Sequence, residues 1–201
     1  MTSSDGTDHA HPTMIDLLLR YLQRERENLL GALDGLSDYD VRRPMTPTGT
    51  SLLGLVKHVA TVELGYFGEC VGRPWPEPIA WDNEPAFDAG EDMYALADES
   101  REMLVDLYRR SWAFSDQNIR ELGLDARADV PWWPGDRSPT TLGYLVVHML
   151  SETAHHAGHA DIVRESIDGR GGRDRDDVGD EEHWTAFVAK IQAAADAHRP
   201  G

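Results

Sequence analysis

The chain has 201 residues, 40% of them apolar and 27% charged, the composition of a globular protein with room for a full core. Its formal net charge is −17 and it has no dense basic cluster, so its surface repels nucleic acid and anionic membrane. The single cysteine, Cys70, excludes an internal disulfide and a multi-cysteine zinc knuckle, so any transition-metal site must be built from histidine and carboxylate.

No run approaches the roughly 18 apolar residues of a membrane span. Residues 1–12, MTSSDGTDHAHP, are polar and acidic and lack the apolar stretch of a secretory signal. The expectation is a disordered tail over 1–12, one helical domain over 13–201, and a cytoplasmic location. A first helix is expected from Thr13 to Leu36, because Ile15, Leu18, Leu22, Leu29, Leu33 and Leu36 recur at helical spacing. Ser37, Asp38 and the stretch RRPMTPTGT interrupt it. Thr50 or Ser51 can cap a second helix, LLGLVKHVATVELGYFGECV. GRPWPEPIAWDNEPAFDAG then forms a long, proline-rich aromatic connection.

A third helix is expected from Glu91 to Leu122, with Leu96, Met103, Leu107 and Phe114 on one stripe. GLDARADVPWWPGDRSP breaks it. A fourth is expected from Ser138, with Pro139 in its first turn, to Ile167. The charged loop DGRGGRDRDDVGD precedes a last helix, Glu181 to His198, whose Trp184, Phe187, Val188 and Ile191 should face inward. The result is an all-α fold: a four-helix bundle with a long crossover between helices 2 and 3 and an additional C-terminal helix.

The fourth helix carries the chemistry. At about 100° per residue, with Glu152 at zero, His156 lies near +40°, His159 near −20° and His148 near −40°. Leu145 and Val163 share that arc, each near +20°. A polar stripe bracketed by apolar residues points into the bundle, where imidazole and carboxylate are costly unless paired or bound to a cation. Glu152 and His156, one turn apart, can converge on one ion, and this donor set suits zinc, nickel, iron or cobalt rather than calcium. His155, near −60°, reads as a boundary residue, and His148 as a partner that orients Glu152. On the second helix, His58 sits between Leu55 and Val62 on an apolar face and is a sensible third ligand. Three protein ligands leave a position open for water or substrate. On spacing alone, a satisfied polar stripe without metal stands equally well.

TPTGTSLLGLVKHVATVELGYF, followed at long range by TLGYLVVHMLSETAHHAGHADIVRESIDG, resembles the DinB/YfiT-like metalloprotein superfamily, and within it the mycothiol-dependent branch. The resemblance runs from Met14 to Asp168. It implies a four-helix bundle that binds a divalent metal through His58 on the second helix and Glu152 and His156 on the fourth. Glutamate at 152 departs from the histidine of many members but resembles the mycothiol-dependent maleylpyruvate isomerases. Position 159 is often glutamine in the superfamily, so His159 stays open as a fourth ligand or a group outside the ligand set.

The resemblance further implies mycothiol or a similar low-molecular-weight thiol as cosubstrate, and S-transfer to a small electrophile in detoxification. Zinc leads the metal candidates, with nickel or iron behind it. A metal-bound thiol becomes a thiolate nucleophile, whereas a metal-bound water would make a hydrolase. An isomerase on the same site, or a non-catalytic metal-binding stress protein that forms a homodimer, also remain open. Cys70, about 120° around the helix from His58, reads as a small core residue. The tryptophans of RPWPEPIAW and VPWWPGD either line a substrate entrance or pack loops onto the bundle. Arg42, Arg43, Arg170 and Arg173 either bind carboxylates of a thiol cofactor or pair with surface Asp and Glu.

Overall fold

The computed structural model describes residues 11–171 and 180–200. Residues 1–10 of the expected tail, and Arg173, lie outside the described residues. The elements run α1 (Met14–Gly31), α2 (Asp38–Arg42), α3 (Leu52–Phe67), α4 (Glu84–Asp88), α5 (Arg101–Leu122), the two-residue strands β1 (Arg127–Ala128) and β2 (Thr140–Thr141), α6 (Leu142–Asp168) and α7 (Glu181–Asp196). The protein is mostly helical, and β1 pairs antiparallel with β2 as its one small ladder among the described residues.

Each long helix starts where a hydroxyl or carboxylate satisfies an otherwise free backbone N–H. Thr13 and Asp16 form a reciprocal capping box on α1. Ser51 caps α3, Ser100 caps α5, Thr141 caps α6 and Asp180 caps α7. Helices α1, α3, α5 and α6 share one core, with α1 packed on α6 and α5, and α3 on α5 and α6. Leu22, Leu29, Val56, Leu104, Ile119 and Val146 are among its fully buried side chains. Two polar ties cross it. Arg26 of α1 donates to both Glu63 oxygens of α3, at 3.2 and 2.5 Å, and to Asp116 of α5 at 2.8 Å. Arg164 of α6 donates to the carbonyls of Ala32 and Asp34 just past α1.

Several boundaries differ from the sequence expectation, each for a local reason. The first helix ends at Gly31; Ala32 to Leu36 continue as turns around Gly35, whose φ of 72° needs a residue without Cβ. The third helix starts at Arg101, not Glu91. Lys57 is fully buried and must be paired, and its ammonium takes both Glu99 oxygens at 2.8 Å and the Tyr94 carbonyl at 3.1 Å. Glu99 also accepts from the Leu96 N–H at 2.8 Å, so residues 94–99 are pinned as a loop and Leu96 falls outside the helix.

Of the expected stripe on α5, Leu107 is buried and Phe114 packs against the core, but the inward face is wider than expected. Met103 is exposed, while Leu104, Tyr108, Ser111 and Ser115 point inward, because small and polar residues line the space around Arg26 and Glu63. The fourth helix begins at Leu142 rather than Ser138, since Thr140 and Thr141 pair with Arg127 and Ala128. Finally, α7 carries no buried residue. Trp184, Phe187, Val188 and Ile191, expected inward, are exposed at 43, 45, 59 and 55%. Their apolar stripe is real, but Trp184 packs edge-on against His183 and Phe187, and Phe187 stacks on His183. Among the described residues no helix is long and apolar enough to cross a membrane.

Candidate metal centre

The packing of α3 on α6 brings His58, Glu152 and His156 together. One donor atom from each lies within 4.8 Å of the others. Glu152 Oε1 is 3.1 Å from His156 Nε2 and 3.8 Å from His58 Nε2, and the two imidazoles meet edge-on with centroids 5.0 Å apart. All three side chains are half-buried. Donors around a tetrahedral zinc ion sit roughly 3.3 Å apart, given bonds of about 2.0–2.1 Å. The observed spacings need only small side-chain adjustments to meet that.

The hydrogen bonding of His58 and the burial of His156 both favour cation binding. His58 Nδ1 lies 2.7 Å from Asp92 Oδ2, and a ring N–H donating to that carboxylate leaves the Nε2 lone pair facing Glu152. Burial is the main cause, with the neighbouring His58 second, that pushes His156 below the ordinary imidazole value, so its ring is neutral at pH 7. His156 Nδ1 is itself buried with no hydrogen-bond partner among the described residues. Two imidazoles and a carboxylate make a borderline donor set of the kind zinc takes.

Asp92 is the residue sequence reasoning missed. It is buried, 6% exposed, in a 3-10 turn over Glu91–Met93. That turn is packed so tightly on α3 that a Cβ at Gly54 would lie 2.1 Å from the Met93 carbonyl oxygen. Only glycine at 54 lets the turn approach close enough for Asp92 to reach a histidine one helical turn further on.

The other candidates separate from the centre. His159 is exposed on α6; its ring stacks edge-on to His156 at 5.6 Å, but it is not one of the three converging donors. His155 is exposed. His148 does not orient Glu152. Its Nε2 lies 3.2 Å from the Tyr66 hydroxyl, and its ring packs against Tyr66 and Trp133. Two turns of α6 separate His148 from His156, so it serves the next stretch of the α3–α6 groove. Cys70 is buried in the core, and burial pushes its thiol up to about 12.

The loop tryptophans divide. Trp81 is buried and donates to Thr61, Trp75 packs on Phe114 and Trp133 on Tyr66. Trp132 is 53% exposed at the edge of a cleft of about 490 Å³. Arg42 pairs with Asp38 and holds the Leu96 and Glu99 carbonyls, Arg43 pairs with Asp40, and the Arg170 backbone N–H donates to Asp168.

A family model described as mycothiol-S-transferase matches residues 17–169, which takes in all of α3, the Asp92 turn and all of α6. The chain belongs to the mycothiol-S-transferase family. Within this mycothiol-S-transferase chain, α7 lies beyond the matched residues, and His58, Asp92, Glu152 and His156 all lie inside them. Among solved structures, a conserved protein from Enterococcus faecalis is similar at 17% identity and a TM-score of 0.56, covering 80% of this chain and 100% of that one. That likeness concerns the fold. A search of the curated proteins found no match.

Proposed function

We propose that this protein is a metal-dependent thiol S-transferase that joins mycothiol, or a similar low-molecular-weight thiol, to a small electrophile, in a detoxifying role. Membership of the mycothiol-S-transferase family supports the thiol and the reaction class. The observation that carries the metal dependence is the convergence of His58, Glu152 and His156 within 4.8 Å on facing helices. The four long helices are read as a bundle whose α3–α6 seam holds these donors.

His58, Glu152 and His156 would hold a divalent cation, zinc first, with nickel or iron as alternatives. When bound there, such a cation would favour the deprotonated, nucleophilic form of a thiol at neutral pH. Asp92 fixes the tautomer and rotamer of His58 through the 2.7 Å contact to Nδ1. Glu152 would add a carboxylate to the two rings and so strengthen the ligand set. His156, held neutral by its burial, keeps a lone pair available without first losing a proton. His159, exposed beside His156, stays outside the ligand set.

The test is thiol consumption. Purified protein reconstituted with zinc should consume mycothiol in the presence of an activated alkene or epoxide and form the thioether. The same protein stripped with chelator should not. Equal turnover with and without metal, or metal-dependent ester cleavage that needs no thiol, would reject the proposal.

A further inference from the structure

None of the residues of α7 is buried, although its sequence is that of an amphipathic helix. With Trp184 at zero and about 100° per residue, Phe187 lies near −60°, Val188 near +40°, Ile191 near −20° and Ala195 near +20°. One arc therefore carries all the large apolar side chains of the helix. Such a face left in water marks a contact surface. It lies beyond residues 17–169, so it belongs to this chain's own extension and not to the part that the family model matches.

Two features of α7 say what covers that face. The first is charge. Asp180, Glu181 and Glu182 open the helix, whereas His198 and Arg199 stand at its other end, where turns continue the helical path beyond Asp196. A parallel copy would set acidic end against acidic end. An antiparallel copy sets each acidic end against the basic end of the other, with the helix dipoles also opposed. On the same count of about 100° per residue, Glu181 and Arg199 both lie near +60°, and Asp180 and His198 both near −40°. A twofold axis through an antiparallel pair brings the same flank of both helices together. Glu181 then meets Arg199 of the second copy, and Asp180 meets its His198. Arg199 holds Asp196 at 2.8 Å in its own chain and keeps further N–H donors for that contact.

The second feature is taper. The stripe is bulky at its start, with Trp184 and Phe187, and small at its end, with Ala194 and Ala195. Antiparallel pairing lays Trp184 over Ala195 of the second copy, and Phe187 and Val188 over its Ile191, so that bulk meets space. One axis, passing near Ala189 and Lys190, satisfies these apolar contacts and both charged ones. The net charge of −17 disfavours an anionic membrane or nucleic acid on the same face.

We infer that α7 pairs antiparallel with α7 of a second copy of this chain, Trp184 of each helix packing on Ala195 of the other. A pair of 16-residue helices offers less area than the roughly 1,200 Å² of a stable specific interface, so the dimer exchanges with monomer. The pairing needs neither the metal nor the thiol chemistry.

Sedimentation velocity of the full chain from micromolar to millimolar concentration should show a reversible monomer–dimer exchange. Phe187→Glu with Ile191→Glu should weaken the dimer at least tenfold without changing zinc content, since both side chains are exposed and lie apart from the three donors. Disulfide trapping reads the register independently of that variant. An equimolar mixture of Trp184→Cys and Ala195→Cys chains should cross-link as the mixed dimer, whereas Ala195→Cys alone should not. The native Cys70 is buried and does not compete. A chain that stays monomeric throughout, or a dimer as tight in the double glutamate variant as in the wild type, overturns the inference. So does Ala195→Cys cross-linking to itself as readily as in the mixture, the result that a parallel pair gives.

Discussion

Asp92 shows how a single side chain can set the chemistry of a site without being a ligand to it. The contact to His58 Nδ1 decides which ring nitrogen faces Glu152. Partners of this kind are commonly worth 10- to 100-fold in metal affinity. Asp92→Asn should therefore weaken zinc binding by about that factor in a chelator-competition titration, with the helical circular dichroism unchanged. An unaltered affinity would show that α3 packing alone orients His58. At the far end of α6, Arg164 donates to Asp168 and holds that carboxyl below the usual carboxylate range. A lowered folded value means that the native state keeps this charge when the unfolded chain has already taken up a proton. The stabilisation is thus present above the ordinary carboxylate range and is lost as pH falls through the folded value. Melting temperature measured from pH 6 to 2 should fall less steeply in Asp168→Asn than in the wild type, and parallel curves would contradict the linkage.

At the scale of elements, the long helices were legible because their apolar residues keep helical spacing and their caps are serine and threonine. Their boundaries were not. The start of α5 depends on Lys57, forty-two residues before Glu99, and no local pattern announces that a lysine will be buried. Truncating it leaves the Glu99 carboxylate buried alone, at a cost of about 3–5 kcal/mol. Lys57→Met should lower the melting temperature by roughly 10 °C, and adding Glu99→Gln should recover part of the loss. A melting temperature within a degree of wild type would show that the 94–99 loop is held by other contacts. The converse error occurred on α7. Its apolar stripe is plain in the sequence, but amphipathicity says only that a face can be buried, not that a partner exists. Trp184, Phe187, Val188 and Ile191 are exposed and stand apart from the three converging donors.

For the whole molecule, the ligand set could be narrowed from sequence because Glu152 and His156 share a helix, and a shared helix fixes their relative angle. His58 joined them through its apolar neighbours and the family resemblance. Asp92 could not be found that way. It lies 34 residues after His58 in a segment without periodicity, and it reaches the ring only because Gly54 admits the turn that carries it. His148 was placed on the correct face, but its partner is Tyr66 of the facing helix, which spacing within α6 cannot reveal. The assembled picture is a helical protein with a donor set in its α3–α6 seam and an open acidic, aromatic cleft lined by α3, residues 82–88 and Trp132. The proposed reaction depends on the claim that a cation belongs among those donors. The most direct measurement is elemental analysis of purified wild type alongside His58→Ala and Glu152→Ala. About one divalent metal per chain is expected in the wild type and a large loss in both variants. Metal content unchanged in both would contradict the assignment of the site.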